Sequence, residues 1–445
     1  MTPSWVSHAI WWQVYPLGFV GAFPAPAAQG SPEPAGPGEH RLRRLVDWFD
    51  HAIELGASGI ALGPIFASRT HGYDTTDHYR IDPRLGDDAD FDYLVAEAHR
   101  RGLRILLDGV FNHVGTDFGR YREAPHDDAS ARWFRGRPGR FHKFEGHSEL
   151  ITLNHDNPEV VDYTVDVMSH WLGRGADGWR LDAAYAVPQQ FWAITLPRVR
   201  ERHPDAWFVG ELIHGDYAAV VDAAGFDSAT QYELWKAIWS GLNDGNFFEL
   251  DWALQRHNEF VASFAPLTVI GNHDVTRIAS RLENPEHVAL ALVILLTVGG
   301  VPSVYAGDEF AFRGIKEERY GGDDAVRPKF GSPPLQLDAS GTRAWALHQY
   351  LIGLRRRHSW LHAASTTTLR LDNLHYVYQT RRGDRDTGEA LLVALNIDDD
   401  PLHLALAELG VKRAQVLAGS AAPPHEVVDE VVVEAHGWRI LEPVS

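Results

Sequence analysis

The sequence predicts an α/β protein built on a (β/α)8 TIM barrel, with an insertion after the third strand and an antiparallel β-domain at the C-terminus. Short apolar runs alternate with longer segments of helical spacing over about 350 residues, which is the pattern of a parallel sheet with helical crossovers. The interval 112–157 is too long for an ordinary connection between a strand and a helix. After residue 358 the pattern changes to short strands, which indicates a separate β-domain.

These observations divide the 445 residues into three predicted parts. Residues 1–111 and 158–357 form the predicted barrel, 112–157 form an inserted domain, and 358–445 form a C-terminal β-sandwich. The chain is too long for one small core, so a large domain with smaller additions is the expected organisation.

The elements follow in order along the chain. The predicted barrel strands cover residues 10–14, 59–62, 103–108, 178–182, 207–211 and 268–271. Helical spacing predicts helices over 42–55, 91–101, 160–172 and 191–202, the last with a kink at Pro197. Gly56 and Gly102 follow the first two helices and suit a C-cap. The apolar stretch 288–304 predicts a buried helix followed by a buried strand, and 374–379 and 390–395 predict strands of the C-terminal domain.

One long segment between the first strand and the first helix breaks this rhythm. Residues 19–40 are rich in proline, glycine and alanine, which predicts an irregular surface loop.

Composition excludes several functions. The net charge is −19, so we expect neither nucleic acid nor an anionic membrane as a partner. The chain contains no cysteine, which excludes thiolate metal sites and a cysteine nucleophile. The N-terminus has no pattern of a secretory signal, so we expect a cytoplasmic protein.

Four carboxylates lie at or just past the ends of predicted strands: Asp108, Asp182, Glu211 and Asp274. In a (β/α)8 barrel these ends converge on the face that carries the active site. One acid at a strand end is more often a helix cap than a catalyst, but four in the same context favour catalysis. Clustered carboxylates raise the pKa of at least one member, and a protonated acid beside an ionised one suits glycoside cleavage.

Basic and aromatic groups accompany these acids. Arg180 precedes Asp182 by two residues, so in a strand both side chains point the same way. His113 and His273 can donate hydrogen bonds to sugar hydroxyls, and Tyr73 offers an aromatic face to a sugar ring.

The same segments resemble the signature regions of the α-amylase family, glycoside hydrolase family 13. The four main regions are similar to Asp108-Gly-Val-Phe-Asn-His113, Gly178-Trp-Arg-Leu-Asp182, Val209-Gly-Glu-Leu212 and Asn272-His-Asp274. Further family segments resemble His71-Gly-Tyr-Asp74 with Ile81-Asp-Pro-Arg-Leu-Gly86, and Gly300-Val-Pro-Ser-Val-Tyr-Ala-Gly-Asp-Glu309.

The resemblance implies a role for each catalytic residue. Asp182 would be the nucleophile, Glu211 the general acid/base and Asp274 the acid that stabilises the transition state. The two reacting carboxyls would lie about 5–5.5 Å apart, as in retaining glycosidases.

The resemblance also implies a substrate-binding shell. Arg180, His113 and His273 would complete the glucose site, Tyr73 would stack beneath the ring, and Asp108 would be a supporting acid. The segment 112–157 would correspond to domain B and 358–445 to domain C.

Local detail narrows the substrate. Glu211-Leu-Ile-His214 resembles a motif of cyclomaltodextrinases and neopullulanases, with Ile213 in place of a tryptophan. This favours cleavage of α-1,4 and also α-1,6 bonds in cyclic or linear malto-oligosaccharides, including cyclic maltosyl-maltose tetrasaccharides. Two alternatives stay open: a glycosyltransferase that uses the same residues, and an inactive carbohydrate-binding subunit, against which the intact triad argues.

Two further expectations come from the same relatives. Asn112 matches a calcium-ligand position of many amylases, but a hydrogen-bonded asparagine is the simpler interpretation, so we predict no metal and no other cofactor. Those relatives use an N-terminal β-domain in dimerisation, whereas here the barrel begins by about residue 8. The oligomeric state therefore stays open between a monomer and a homodimer.

Overall fold

The computed structural model describes residues 2–22, 39–319, 321–382, 388–420 and 426–444. The chain divides into two units. The first unit contains Met1–Thr230 and Lys316–Gln336, and the second contains Gln231–Ile315 and Leu337–Ser445. The predicted loop 19–40 lies mostly outside the described residues.

The first unit contains the beginning of the barrel and the inserted segment. Its strands are β1 (Trp11–Val14), β2 (Gly59–Leu62), β3 (Phe66–Ser68), β4 (Thr75–Ile81), β5 (Arg104–Gly109), β6 (His113–Gly115), β7 (Gly136–Arg137), β8 (Arg140–Phe141), β9 (Leu150–Thr152), β10 (Gly178–Leu181), β11 (Trp207–Gly210) and β12 (Ser228–Ala229). Its α-helices are α1 (Pro16–Phe19), α2 (Phe49–Leu55), α3 (Asp88–Arg100), α4 (Gly119–Glu123), α5 (Asp128–Ala131), α6 (Pro158–Gly173), α7 (Gln189–Arg200) and α8 (Tyr217–Ala224).

Parallel pairing joins six of these strands in the order β12, β11, β10, β5, β2, β1. The strands are buried along almost their whole length, as expected for a parallel sheet covered by helices. Gly178 is required where β10 meets β11, because a Cβ atom there would lie 2.3 Å from the carbonyl oxygen of Trp207. Since Arg180 on β10 pairs with Asp108 on β5, two predicted site residues are neighbours across the sheet.

The insertion after β5, the third strand of the sheet, has its own small core. Strands β6 and β9 pair antiparallel, as do β7 and β8. Trp133 and Phe134 are buried, and the Trp133 ring packs edge-on against Tyr163 of α6 at 5.2 Å. These buried aromatic rings give the inserted segment its apolar core.

The second unit contains two more parallel strands and the C-terminal sheets. Its strands are β13 (Leu267–Thr268), β14 (Val301–Tyr305), β15 (Ala364–Leu371), β16 (His375–Arg382), β17 (Ala390–Asn396), β18 (Leu402–Ala405), β19 (Arg413–Gly419), β20 (Val427–Val428), β21 (Glu430–Val433) and β22 (Trp438–Val444). Its α-helices are α9 (Tyr232–Asp244), α10 (Phe247–Ser263), α11 (Ile278–Arg281), α12 (His287–Thr297) and α13 (Ala339–Arg357). Strands β13 and β14 pair parallel, so the described residues hold six and two parallel strands, the eight that the sequence predicts.

The C-terminal strands are antiparallel. A six-stranded sheet has the order β15, β16, β17, β22, β19, β20, and β18 pairs with β21 in a second sheet. Alternate side chains of both sheets meet in one apolar core that includes Val377, Leu392, Leu404, Val416 and Val433.

Some predicted boundaries were wrong in detail. The predicted helix 42–55 is a 3-10 helix over Arg41–Trp48 that continues into α2. The predicted strand 268–271 has strand pairing only over Leu267–Thr268, because the chain then turns into the segment with Asp274. Gly56 and Gly102 do adopt left-handed conformations, with φ of 95° and 77°. None of the described helices combines the length and the apolarity that crossing a bilayer requires.

Candidate active site

Three neighbouring strands carry acids at their carboxyl ends. Asp108 is the penultimate residue of β5, while Asp182 and Glu211 directly follow β10 and β11. Backbone hydrogen bonds extend the pairing past the strands, because Asp182 N–H donates to Gly109 and Glu211 N–H donates to Leu181. The sheet therefore brings together the three acids of the first unit that the sequence predicted.

Arg180 joins these three acids through one guanidinium group. Its Nη1 lies 2.7 Å from both carboxylate oxygens of Asp108 and 3.2 Å from Oδ1 of Asp182. Its Nη2 lies 2.5 Å from Oε1 of Glu211. A planar guanidinium fixes the carboxylates that it binds in direction as well as distance.

The electrostatics of this cluster depend on burial and on charge. Burial raises the pKa of Asp108, and Arg180 and the hydroxyl of Tyr73 act in the opposite direction. Burial acts to lower the pKa of Arg180, but the carboxylates of Asp108 and Glu211 outweigh it, so Arg180 stays charged. One fixed positive charge thus faces several acids in a site with little solvent.

Glu211 is held from a second direction by the backbone. Its Oε2 accepts a hydrogen bond of 2.8 Å from the N–H of Ala183, the residue after Asp182. Ala183 has φ of 46° and ψ of 36°, a left-handed conformation that non-glycine residues rarely adopt. Strained backbone of this kind persists where its surroundings hold it, and it is concentrated at functional sites.

Tyr73 and His113 support the cluster from one side. The Tyr73 hydroxyl donates to Oδ2 of Asp108 at 3.0 Å, and Nε2 of His113 lies 3.1 Å from the Tyr73 carbonyl oxygen. Burial lowers the pKa of His113 to about 3, so its ring is neutral at ordinary pH. A neutral imidazole whose Nε2–H donates to Tyr73 leaves Nδ1 as an acceptor for the Asn112 amide, 3.0 Å away.

The contact of the Asn112 amide with His113 bears on the calcium expectation. Calcium prefers six to eight oxygen ligands. Among the described residues, the His, Cys, Asp and Glu side chains spaced to hold a metal are His40, Asp87 and Asp90. The Asn112 amide thus has a hydrogen-bond partner within the protein.

The remaining predicted residues lie in the second unit, after β13. Nε2 of His273 lies 3.0 Å from Oδ2 of Asp274, and the N–H of Asp274 donates to Oδ1 of Asn272. His273 is buried, whereas the Asp274 side chain is 31% exposed. Asp274 is therefore the most solvent-accessible of the predicted catalytic acids.

The segment Gly300–Glu309, which resembles a family segment, takes part in a buried ion pair of the same unit. Arg277 pairs with Asp308 at 2.8 Å, with both side chains essentially fully buried. The guanidinium of Arg277 also lies over the Tyr305 ring at 4.4 Å. This buried pair fixes the chain after β14.

The sequence missed three residues of the first unit that adjoin the cluster. Phe144 and Glu145 come from the inserted domain, and Tyr185 follows Asp182 by three positions. The Tyr185 hydroxyl donates to Oε1 of Glu145 at 2.7 Å. Nothing in the local pattern pairs these positions, since 40 residues separate them.

The parallel strands and the acids at their carboxyl ends define a barrel enzyme with a carboxylate-based active site. The model of the alpha amylase catalytic domain matches residues 36–146 and 129–372. The chain therefore belongs to the α-amylase family and is a glycoside hydrolase.

Similar proteins agree with this assignment. A cyclomaltodextrinase of Geobacillus thermopakistaniensis is 28% identical over 91% of this chain and 71% of its own length. Neopullulanase 2 of Thermoactinomyces vulgaris is 31% identical over 71% of this chain and 58% of its own length. The ligand-free cyclic α-maltosyl-(1→6)-maltose hydrolase of Arthrobacter globiformis superimposes with a TM-score of 0.82 at 26% identity, covering 99% of this chain and 100% of its own. The predicted fold class, a barrel with an insertion and a C-terminal antiparallel β-domain, is confirmed.

Proposed function

We propose that the chain hydrolyses α-1,4 bonds, and also α-1,6 bonds, of cyclic or linear malto-oligosaccharides with retention of configuration. The observation that carries this proposal is the guanidinium of Arg180, which holds Asp182 and Glu211 from its two terminal nitrogens. Two carboxylates that share one guanidinium lie close together, and a short separation is what a retaining mechanism needs.

In this mechanism, Asp182 attacks the anomeric carbon while Glu211 gives a proton to the leaving glycosidic oxygen. The bond between the anomeric carbon and that oxygen breaks, and a β-glycosyl ester of Asp182 forms. Glu211 then takes a proton from water, whose oxygen attacks the anomeric carbon and releases Asp182. Both oxygens of Glu211 accept hydrogen bonds in the free protein, and each keeps a second lone pair that can hold the proton.

Other residues would bind the distorted glucose ring. Asp274 and His273 would bind ring hydroxyls, and Tyr73 would lie beneath the ring. Both ring nitrogens of His113 have partners in the free protein, so a sugar hydroxyl would bind at Nδ1 in place of the Asn112 amide. Asp108 would act through Arg180 and Tyr73, since it contacts both. The 31% exposure of the Asp274 side chain supports its role as a direct sugar ligand.

The names of similar proteins support a short glucan as substrate. The names cyclomaltodextrinase and cyclic α-maltosyl-(1→6)-maltose hydrolase refer to cyclic α-glucans, and the name neopullulanase refers to pullulan. A cyclic maltosyl-maltose tetrasaccharide is therefore the first substrate to test.

The experiment is incubation with maltose, panose, pullulan, soluble starch, cyclodextrins and the cyclic tetrasaccharide, with products resolved by chromatography. Proton NMR of the earliest product should show the α-anomer before mutarotation. An initial β-anomer would contradict the retaining mechanism. Products longer than the substrate at high concentration would instead support the glycosyltransferase alternative.

A further inference from the structure

The tip of the inserted domain lies against the loop that follows the proposed nucleophile. This tip is the short 3-10 turn Phe144–Gly146. The loop, Ala183 to Tyr185, follows Asp182 directly. Both segments belong to the first unit, and neither was predicted to adjoin the site.

Aromatic rings form a row across this contact. The Phe144 ring stacks on His113 with centroids 4.7 Å apart and planes 14° apart. Tyr185 follows at 6.4 Å from Phe144, and His214 lies at 6.2 Å from Tyr185. Since His113 belongs to the proposed glucose site and His214 follows Glu211 by three residues, the row runs from the donor side towards the acid/base.

A hydrogen bond ties the tip to the loop. The Tyr185 hydroxyl donates to Oε1 of Glu145 at 2.7 Å, a length typical of a bond to a charged acceptor. The N–H of Tyr185 donates to the carbonyl oxygen of Glu211 at 3.1 Å, which anchors the ring beside the acid/base. Burial, and next the carboxylate of Glu145, raise the pKa of Tyr185, so its hydroxyl remains a donor.

Both ends of this contact have strained backbone. Glu145 has φ of 47° and ψ of 29°, and Ala183 has φ of 46° and ψ of 36°. Neither residue is glycine, and residues with a Cβ atom rarely adopt this left-handed backbone conformation. Such conformations cluster at ligand clamps because their surroundings keep them in place.

We propose that Glu145 and Tyr185 form a specificity clasp that closes the leaving-group side of the site and selects short α-glucans over polymers. The clasp deepens the proposed function and rests on it. The Glu145 carboxylate accepts, and the Tyr185 hydroxyl donates and accepts, so the pair can bind hydroxyls of the first sugar beyond the cleaved bond. The linked segments also form a wall, and a wall excludes a chain that must continue past it.

The test compares substrates of two sizes in matched variants. Tyr185→Phe removes the hydroxyl and keeps the ring, and Glu145→Ala removes the carboxylate. Glu149→Ala is the control, because Glu149 lies in the same domain but pairs with Arg69. For each protein, kcat/KM is measured on maltotetraose and on soluble starch, and thermal unfolding reports folding.

Each clasp variant should raise the ratio of kcat/KM on starch to kcat/KM on maltotetraose by about ten-fold, the effect of one hydrogen bond to a charged group. The double variant should give no more than the larger single effect, because both changes break the same contact. The control should keep the wild-type ratio.

Two results would overturn the clasp, and they differ. If the wild-type protein is active and every variant has the wild-type ratio of kcat/KM on starch to kcat/KM on maltotetraose, the clasp is refuted. The proposed function would then stand. A wild-type protein that cleaves neither substrate nor any glucan of the panel would refute the proposed function and the clasp with it.

Discussion

Arg180 is the residue on which the candidate site depends. It is buried and contacts three carboxylates at the ends of three adjacent strands. Removal of one partner from a buried ion pair leaves an uncompensated charge, which costs about 3–5 kcal/mol. Each acid can therefore be tested only with variants that keep the size of the side chain and the hydrogen bonds.

Asp182→Asn tests the nucleophile. An amide cannot form the glycosyl ester, so kcat should fall by at least about 10⁴-fold while oligosaccharide binding and thermal unfolding stay close to wild type. The measurements are turnover of maltotetraose, calorimetric binding of the same sugar and a thermal scan.

Asp177→Asn is the matched control: this acid lies at the opposite end of β10, where it accepts from the N–H of Ile105. The control should lose stability and keep kcat. More than a trace of activity in Asp182→Asn, with deamidation excluded, would sink the assignment.

Glu211→Gln tests the acid/base. Natural glucosides need protonation of the leaving oxygen, whereas aryl glucosides with good leaving groups need little. The glycosylation rate should therefore fall by about 10²–10⁴-fold on malto-oligosaccharides and much less on the activated substrate. Pre-steady-state release of the aryl group measures that step. Equal losses on both substrates would argue against the role of acid.

At the scale of elements, the two ends of the barrel strands have different roles. Carboxyl ends of β5, β10 and β11 carry the candidate catalytic groups, while Asp177 at the amino end of β10 binds Arg104 and the backbone of β5. This division between a functional and a stabilising face is general for (β/α)8 barrels.

Two buried histidines hold the chain at Val110 and Phe111, just before the inserted domain begins. His78 and His155 lie 2.9 and 3.0 Å from the carbonyl oxygens of Val110 and Phe111. Burial lowers the pKa of each histidine to about 4. Both rings are therefore neutral in the folded protein at ordinary pH.

This neutrality predicts acid sensitivity. A depressed folded pKa contributes stability above the unfolded value of 6.5, and that stability is lost as the pH falls from 6.5 towards 4. Within this window, each such histidine should lower the free energy of unfolding by about 1.4 kcal/mol for every unit by which the pH falls.

Urea unfolding at pH 7.5, 6.0 and 5.0 measures the slope of the free energy of unfolding against pH. His78→Gln should reduce this slope, because the glutamine amide can still donate to the carbonyl oxygen of Val110 but does not titrate. His126→Gln, at an exposed site, is the control and should leave the slope unchanged. An unaltered slope in His78→Gln would contradict the argument.

At the scale of the whole molecule, the inserted domain should restrict the substrate. Because its tip contacts the loop after Asp182, we expect a pocket that suits short ligands. The protein should show a higher kcat/KM on cyclic or linear oligosaccharides of about four to eight glucose units than on soluble starch. Initial rates at equal concentrations of glucosidic bonds make the comparison. A strong preference for starch, with rapid loss of iodine staining, would indicate an endo-acting enzyme and would leave the catalytic acids unchallenged.

The sequence by itself predicted the class of fold and the family. Local hydrophobic periodicity predicts the alternation of strands and helices, and the signature acids lie at fixed positions relative to the strands. Even the closeness of Arg180 and Asp182 followed from the two-residue period of a strand. These features are local, so a linear pattern records them.

Only the tertiary structure decided which distant residues meet. The register of β10 against β5 put Arg180 beside Asp108, and folding of the inserted domain put Glu145 against Tyr185. The 3-10 form of Arg41–Trp48 was likewise not predicted by the apolar spacing of these residues. Contacts between segments far apart in sequence depend on loop closure and side-chain packing, and neither leaves a periodic signal in the chain.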